Sequence, residues 1–88
     1  MFQGQAVSVI VPAYNEEATI AEVVRDYRSN PHVDEVLVVD NNCRDSTAAR
    51  AAEAGGRVVA EGAPGYGRAL KRGMQEAVGE ILVLTEAD

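Results

Sequence analysis

Two carboxylates set two positions apart, Glu86 and Asp88, follow an apolar run over residues 81–84. At the end of an extended strand such a pair points to one side and offers hard oxygens to a single point. Mg²⁺ or Mn²⁺ is commonly held this way, with further ligands taken from a substrate phosphate. A solvated acidic strand end has the same sequence, so the neighbours must decide. Three more polar groups also follow apolar runs: Tyr14 and Glu16, Asp40 and Asn41, and Gly65 and Gly67. The Gly65-Tyr66-Gly67 turn leads a helical pattern bearing Arg68, Lys71 and Arg72, where free N–H groups and cations could meet a phosphate or a base. Taken singly, each group has a plainer explanation. Glu16 and Glu17 suit a helix N-terminus through its dipole, Asp40 could cap a turn, and glycines mark tight turns.

For these groups to meet, the runs before them must lie side by side and point the same way. Residues 7–11 are almost wholly apolar and mostly β-branched, which suits a strand buried on both faces of a parallel sheet. Pro12 is expected to end it, since proline cannot donate to the ladder. Further strands are expected over 35–39, 57–60 and 80–84. The first helix is predicted over 16–29, with Ile20, Val23, Val24 and Tyr27 at helical spacing, Asn15 as its N-cap and Asn30-Pro31 as its stop. The second, 47–54, is rich in alanine, with Asp45 or Ser46 as cap and Gly55-Gly56 at its end. The third should run to about residue 78, burying Leu70, Met74, Ala77 and Val78. Strands alternating with helices imply right-handed crossovers and an α/β fold with a parallel sheet. Parallel strands share one carboxyl end, so all four polar groups come to one rim, where open sheets of this kind bind ligands.

Length and composition set the outer limits. Eighty-eight residues make one small domain, and 47% hydrophobic with 25% charged residues is ordinary for a soluble globular protein. A net charge of −6 argues against a nucleic-acid partner, which needs unopposed Lys and Arg. No apolar stretch approaches the ~20 residues needed to span a bilayer, and residues 1–5 do not resemble a signal peptide, so a cytoplasmic location is expected. The single cysteine, Cys43, excludes an internal disulfide. It and His32 stand isolated, with no nucleophile-and-base pattern around them. A dinucleotide fingerprint would follow the first strand, and no Walker loop is present.

The ordered segments resemble the family 2 glycosyltransferases, the inverting GT-A enzymes, and in particular polyprenyl-phosphate mannosyl- and glucosyltransferases. VSVIVPAYNEE resembles the family's first strand and nucleotide loop, EVLVVDNNCRDST its second strand and acidic base-binding loop, GYGRALKRGM its glycine-led third helix, and ILVLTEAD the strand carrying its Asp-x-Asp motif. The resemblance implies a three-layer, Rossmann-like half of a GT-A fold with four parallel strands in the order 3-2-1-4. It implies that Pro12, Ala13, Tyr14 and Glu16 line a nucleotide pocket and that Asp40, with Asn41, contacts the base or ribose. Gly67 and Arg68 would flank the nucleotide, while Asp88, helped by Glu86, would bind Mg²⁺ or Mn²⁺ on the donor diphosphate. The implied donor is a UDP- or GDP-sugar and the implied acceptor a polyprenyl phosphate or another molecule, with the intact protein at the cytoplasmic face of a membrane. Asp40-Asn41-Asn42-Cys43 stands where the family often has two aspartates and Gly-Ser, and Glu86 replaces the first aspartate.

Family catalytic domains are more than twice this long, and the remainder supplies the acceptor site and the general base. Residues 1–88 are therefore expected to be the truncated N-terminal, donor-binding part of such a domain, inactive alone and without a catalytic residue of its own. A free-standing nucleotide-binding or protein-interaction module is the alternative. In the order 3-2-1-4 the fourth strand lies at an edge, so an apolar edge over 81–84 predicts a homo-oligomer.

Overall fold

In the computed structural model, which describes residues 1–85, the apolar run after Ala6 forms β1 (Val7–Ala13), buried at every position. Its central place explains this. The sheet is fully parallel in the order β3-β2-β1-β4, with β2 (Glu35–Asp40) and β3 (Arg57–Ala60) on one side of β1 and β4 (Ile81–Leu84) on the other. The sheet order expected from the resemblance is thus the one observed.

Alternation along the strands splits the core in two. Val9, Val11 and Ala13 pack with Val36 and Val38 under α1 (Ile20–Arg28) and α2 (Thr47–Glu53), through Ile20, Val24 and Ala51. On the opposite face Ile10 and Val39 meet Ala69 of α3 (Tyr66–Glu76). That makes three layers. Gly73 brings α3 down onto the sheet, where a Cβ would run into Ile10 Cγ2. α2 ends as expected: Gly56 N–H donates to the Ala51 carbonyl at 2.9 Å, Gly55 N–H donates to that of Ala52 at 3.1 Å, and Gly55 adopts φ +104°. These are the two bonds of a Schellman motif, whose left-handed residue favours glycine.

Three local expectations need correction. Pro12 does not end β1; it pairs in register with Val39, and the strand continues to Ala13. The Ile10 carbonyl accepts from Thr85 on the β4 side, whereas the Ala13 carbonyl accepts from Asn41 on the β2 side. Pro12 therefore turns its missing N–H to the side where β4 has ended at Leu84. α1 starts at Ile20, with Thr19 rather than Asn15 at its N-cap, because residues 15–17 are bonded elsewhere. α3 stops at Glu76, since Val78 N–H donates to Glu35 and Gly79 N–H to Ser8, drawing the chain off the helix axis. Val78 is exposed in consequence, at 73%; Met74, still within α3, is exposed as well, so neither is buried as expected.

Candidate functional site

The carboxyl ends of β1, β2 and β3 are aligned by register, with Ala13 beside Asp40 and Asp40 beside Ala60. Their loops therefore open at one rim and bond to one another. Asn15 takes φ +50°, a conformation asparagine tolerates better than most residues. Its N–H donates to Cys43 Sγ at 3.3 Å, and its Oδ1 accepts from Arg44 N–H at 2.8 Å. Glu16 N–H donates to Thr47 Oγ1 at 2.8 Å and Glu17 N–H to Asp45 Oδ2 at 3.3 Å. In return, Glu17 Oε2 accepts from Ser46 N–H at 3.0 Å. These partners lie 28 to 31 residues apart in sequence.

The end of β2 fixes the next loop. Asp40 Oδ1 accepts from Cys43 N–H at 2.8 Å, and the Asp40 carbonyl accepts from Glu61 N–H at 2.9 Å. Asn41, only 7% exposed, donates through Nδ2 to the Ala63 carbonyl at 3.0 Å and accepts at Oδ1 from Gly65 N–H at 3.2 Å. Its amide thus ties the β2 loop to the residues that start α3. Burial pushes the Cys43 thiol up, and the neighbouring Asp40 carboxylate adds to the effect, so it stays neutral and donates to the Ala13 carbonyl at 3.3 Å.

Gly65 precedes α3 at φ +118°, which only glycine adopts without strain. Glu61 anchors this turn through Ala63 N–H at 2.8 Å and Arg72 at 3.3 Å. Those contacts, with the charges of Arg72 and Arg68, hold its carboxyl below the usual glutamate range. Gly67 and Arg68 occupy the exposed first turn of α3, and a Cβ on Gly67 would meet open space.

Of the residues singled out in the sequence, Tyr14 projects from the rim at 60% exposure. Glu16 and Asp40 are half-buried, whereas Pro12 and Ala13 are buried in β1 beneath the turn. Asn41 faces inward to the chain itself. Glu86 and Asp88 lie outside the described residues. Among the described residues no group of three or more His, Cys, Asp or Glu could hold a metal. Asp45, Thr47 and Cys43 join the rim although sequence reasoning treated them as a cap, a helix start and an inert thiol. The available signal was the density of Asp, Ser and Thr over 45–47, residues that bond backbone N–H groups.

Comparison with known proteins sets this rim in a family. The model of glycosyl transferase family 2 matches residues 8–88, nearly the whole chain. The chain belongs to glycosyl transferase family 2. An uncharacterized glycosyltransferase of Mycobacterium tuberculosis is 42% identical over 97% of this chain and 38% of its own length. Protein RfbJ of Shigella flexneri is 33% identical over all of this chain and 68% of that protein. The crystal structure of glucosyl-3-phosphoglycerate synthase from Mycobacterium tuberculosis in complex with Mn²⁺, uridine-diphosphate-glucose and phosphoglyceric acid superposes with a TM-score of 0.89 at 37% identity. That match covers 97% of this chain and 34% of the synthase chain, and the same synthase also has a crystal structure with Mg²⁺ and uridine diphosphate. This family 2 chain therefore spans between 29% and 38% of the length of the mycobacterial relatives it matches.

Proposed function

We propose that this family 2 glycosyltransferase chain is the N-terminal, donor-binding part of an enzyme that transfers a sugar from a nucleotide-sugar. One observation supports the reading most: three loops from adjacent strand ends are bonded into a single rim that leaves Tyr14, Gly67 and Arg68 exposed above it. A rim built this way suits a nucleoside diphosphate, which needs a flat surface for its base and N–H groups or cations for its phosphates. Pro12 and Ala13 support the pocket from beneath the turn, Tyr14 and Glu16 wall it, and Asp40 faces the base or ribose. Gly67 and Arg68 approach the nucleotide from α3. Asn41 acts from beneath by holding the Ala63 to Gly65 turn.

UDP-glucose in the related synthase favours a UDP-sugar over a GDP-sugar. Two carboxylates plus diphosphate oxygens are a suitable donor set for Mg²⁺ or Mn²⁺, so Glu86 and Asp88 are the residues that would hold the ion. When bound, the ion screens the diphosphate charge from this acidic chain. The acceptor carries a phosphate, as polyprenyl phosphate and the phosphoglyceric acid of the related structure both do. The work is cytoplasmic, and among the described residues no helix is long and apolar enough to cross a membrane.

The test is calorimetric titration of the chain with UDP and GDP, with and without Mn²⁺. Binding of UDP that needs Mn²⁺ is expected, and binding of neither nucleotide defeats the reading.

The same reading assigns β4 to self-association. Within the described residues it pairs only with β1, and Leu82, Val83 and Leu84 are exposed. An open pocket of about 240 Å³ lies on its α1 face between Phe2, Tyr27, Ile81 and Val83. An unpaired apolar edge is a template for a second copy.

A further inference from the structure

The rim turn that carries Tyr14 and Glu16 is held on two sides. Its carbonyl side is bonded locally, Glu16 accepting from Thr19 N–H at 3.1 Å and from Ile20 N–H at 2.9 Å, but its N–H side is not. The N–H groups of Asn15, Glu16 and Glu17 are all taken by the β2 loop. Thr47 is the pivot of this grip. It is fully buried, and its hydroxyl accepts from Glu16 N–H at 2.8 Å while donating to Asp45 Oδ1 at 2.5 Å. Asp45 receives Thr47 N–H on the same oxygen at 3.0 Å and Glu17 N–H on the other at 3.3 Å. These bonds hold the Asp45 carboxyl below the usual aspartate range, that of the Thr47 hydroxyl most of all. A hydroxyl can accept and donate at once in this place, as the two bonds require.

We propose that Thr47, oriented by Asp45, is a positioning residue for the donor site: it sets the backbone at Glu16 and Glu17 and thereby the ligand-facing side of the turn. The inference rests on the rim being a UDP site. Supporting residues of this kind matter because a shift of about 1 Å in a binding group loosens the site.

The test compares Thr47→Val, which removes the hydroxyl at nearly constant shape, with Thr47→Ser, which keeps it. Two quantities are read on the 88-residue chain: amide hydrogen exchange at Glu16 and Glu17, with Val9 and Val38 as core references, and calorimetric UDP affinity with Mn²⁺. For Thr47→Val, exchange at Glu16 should rise about tenfold relative to the core references, and UDP should bind about tenfold more weakly. Thr47→Ser should restore both. Unchanged affinity in Thr47→Val, unchanged Glu16 exchange, or no rescue by serine overturns the proposal. If Thr47→Val does not fold, Asp45→Asn takes its place, with the same losses expected and the same outcomes overturning the proposal. A wild-type chain that takes no UDP defeats the donor-site reading and this role with it. Glu16 exchange, read without ligand, distinguishes that result from failure of the Thr47 grip.

Discussion

Ser8 and Glu35 meet at 2.5 Å at the amino end of the sheet, the far end from the rim. Ser8 is wholly buried, donates to Glu35 Oε2 and accepts from Gly79 N–H at 2.9 Å. Glu35 also takes Val78 N–H at 2.9 Å and Arg57 Nε at 3.0 Å. A single carboxylate therefore joins β1, β2 and β3 to the segment that leads into β4.

Burial pushes the Glu35 carboxyl up, but Ser8, Val78 and Arg57 together hold it below the glutamate value of 4.5. Its stabilisation is therefore present above that value and is lost as pH falls through the lower folded value. Glu35→Gln should cost about 1–2 kcal/mol at pH 7. In urea titrations the gap between variant and wild type should close below pH 4.5. A gap that persists unchanged at pH 3 would show that the charge is not what matters.

Gly73 lies against Ile10 with no room for a side chain. Gly73→Ala should destabilise the fold by about 1–3 kcal/mol, although alanine is the better helix former, because α3 must lift from β1. Thermal unfolding measures this, and a rise in midpoint would mean that α3 sits further out.

Asn41→Ala removes both bonds that pin the turn before α3 and leaves Gly65 N–H and the Ala63 carbonyl without their partner. A loss of about 1–3 kcal/mol is expected. Limited proteolysis should then cut first between residues 61 and 65. Wild-type resistance at that turn would assign its order to Glu61 and Arg72 instead.

Val83→Lys places a charge on the outer strand, a device that blocks edge pairing. If β4 joins two copies, light scattering should show wild-type oligomers giving way to monomers in the variant. Identical masses for the two proteins, whether both monomeric or both assembled, would remove β4 from the interface.

The alternation of strands and helices, the glycine end of α2 and the convergence of polar loops on one rim were all legible in the sequence. Residues 7–11 read as a doubly buried strand because nearly every side chain is apolar, and Gly55-Gly56 read as a stop because few residues adopt a left-handed C-terminus. Asn15 misled. Its type suits an N-cap, and nothing local shows that its side chain is taken by Arg44, 29 residues away. Val78 misled likewise, because helical spacing identifies a face without showing where Ser8 and Glu35 pull the chain off the helix.

By itself the sequence determined which segments become strands and helices, where the rim lies, and which family the chain resembles. The elements and the rim are matters of side-chain period and turn chemistry, settled within a few residues of chain, and the family resemblance lies in four segments taken in order. Only the tertiary structure decided that Pro12 stays within β1, that Asn41 turns inward and that Thr47 grips Glu16. Each depends on a partner 22 to 31 residues away, or on where a neighbouring strand ends. Hydrogen bonds of that kind follow from the register of the sheet, which the chain acquires only on folding.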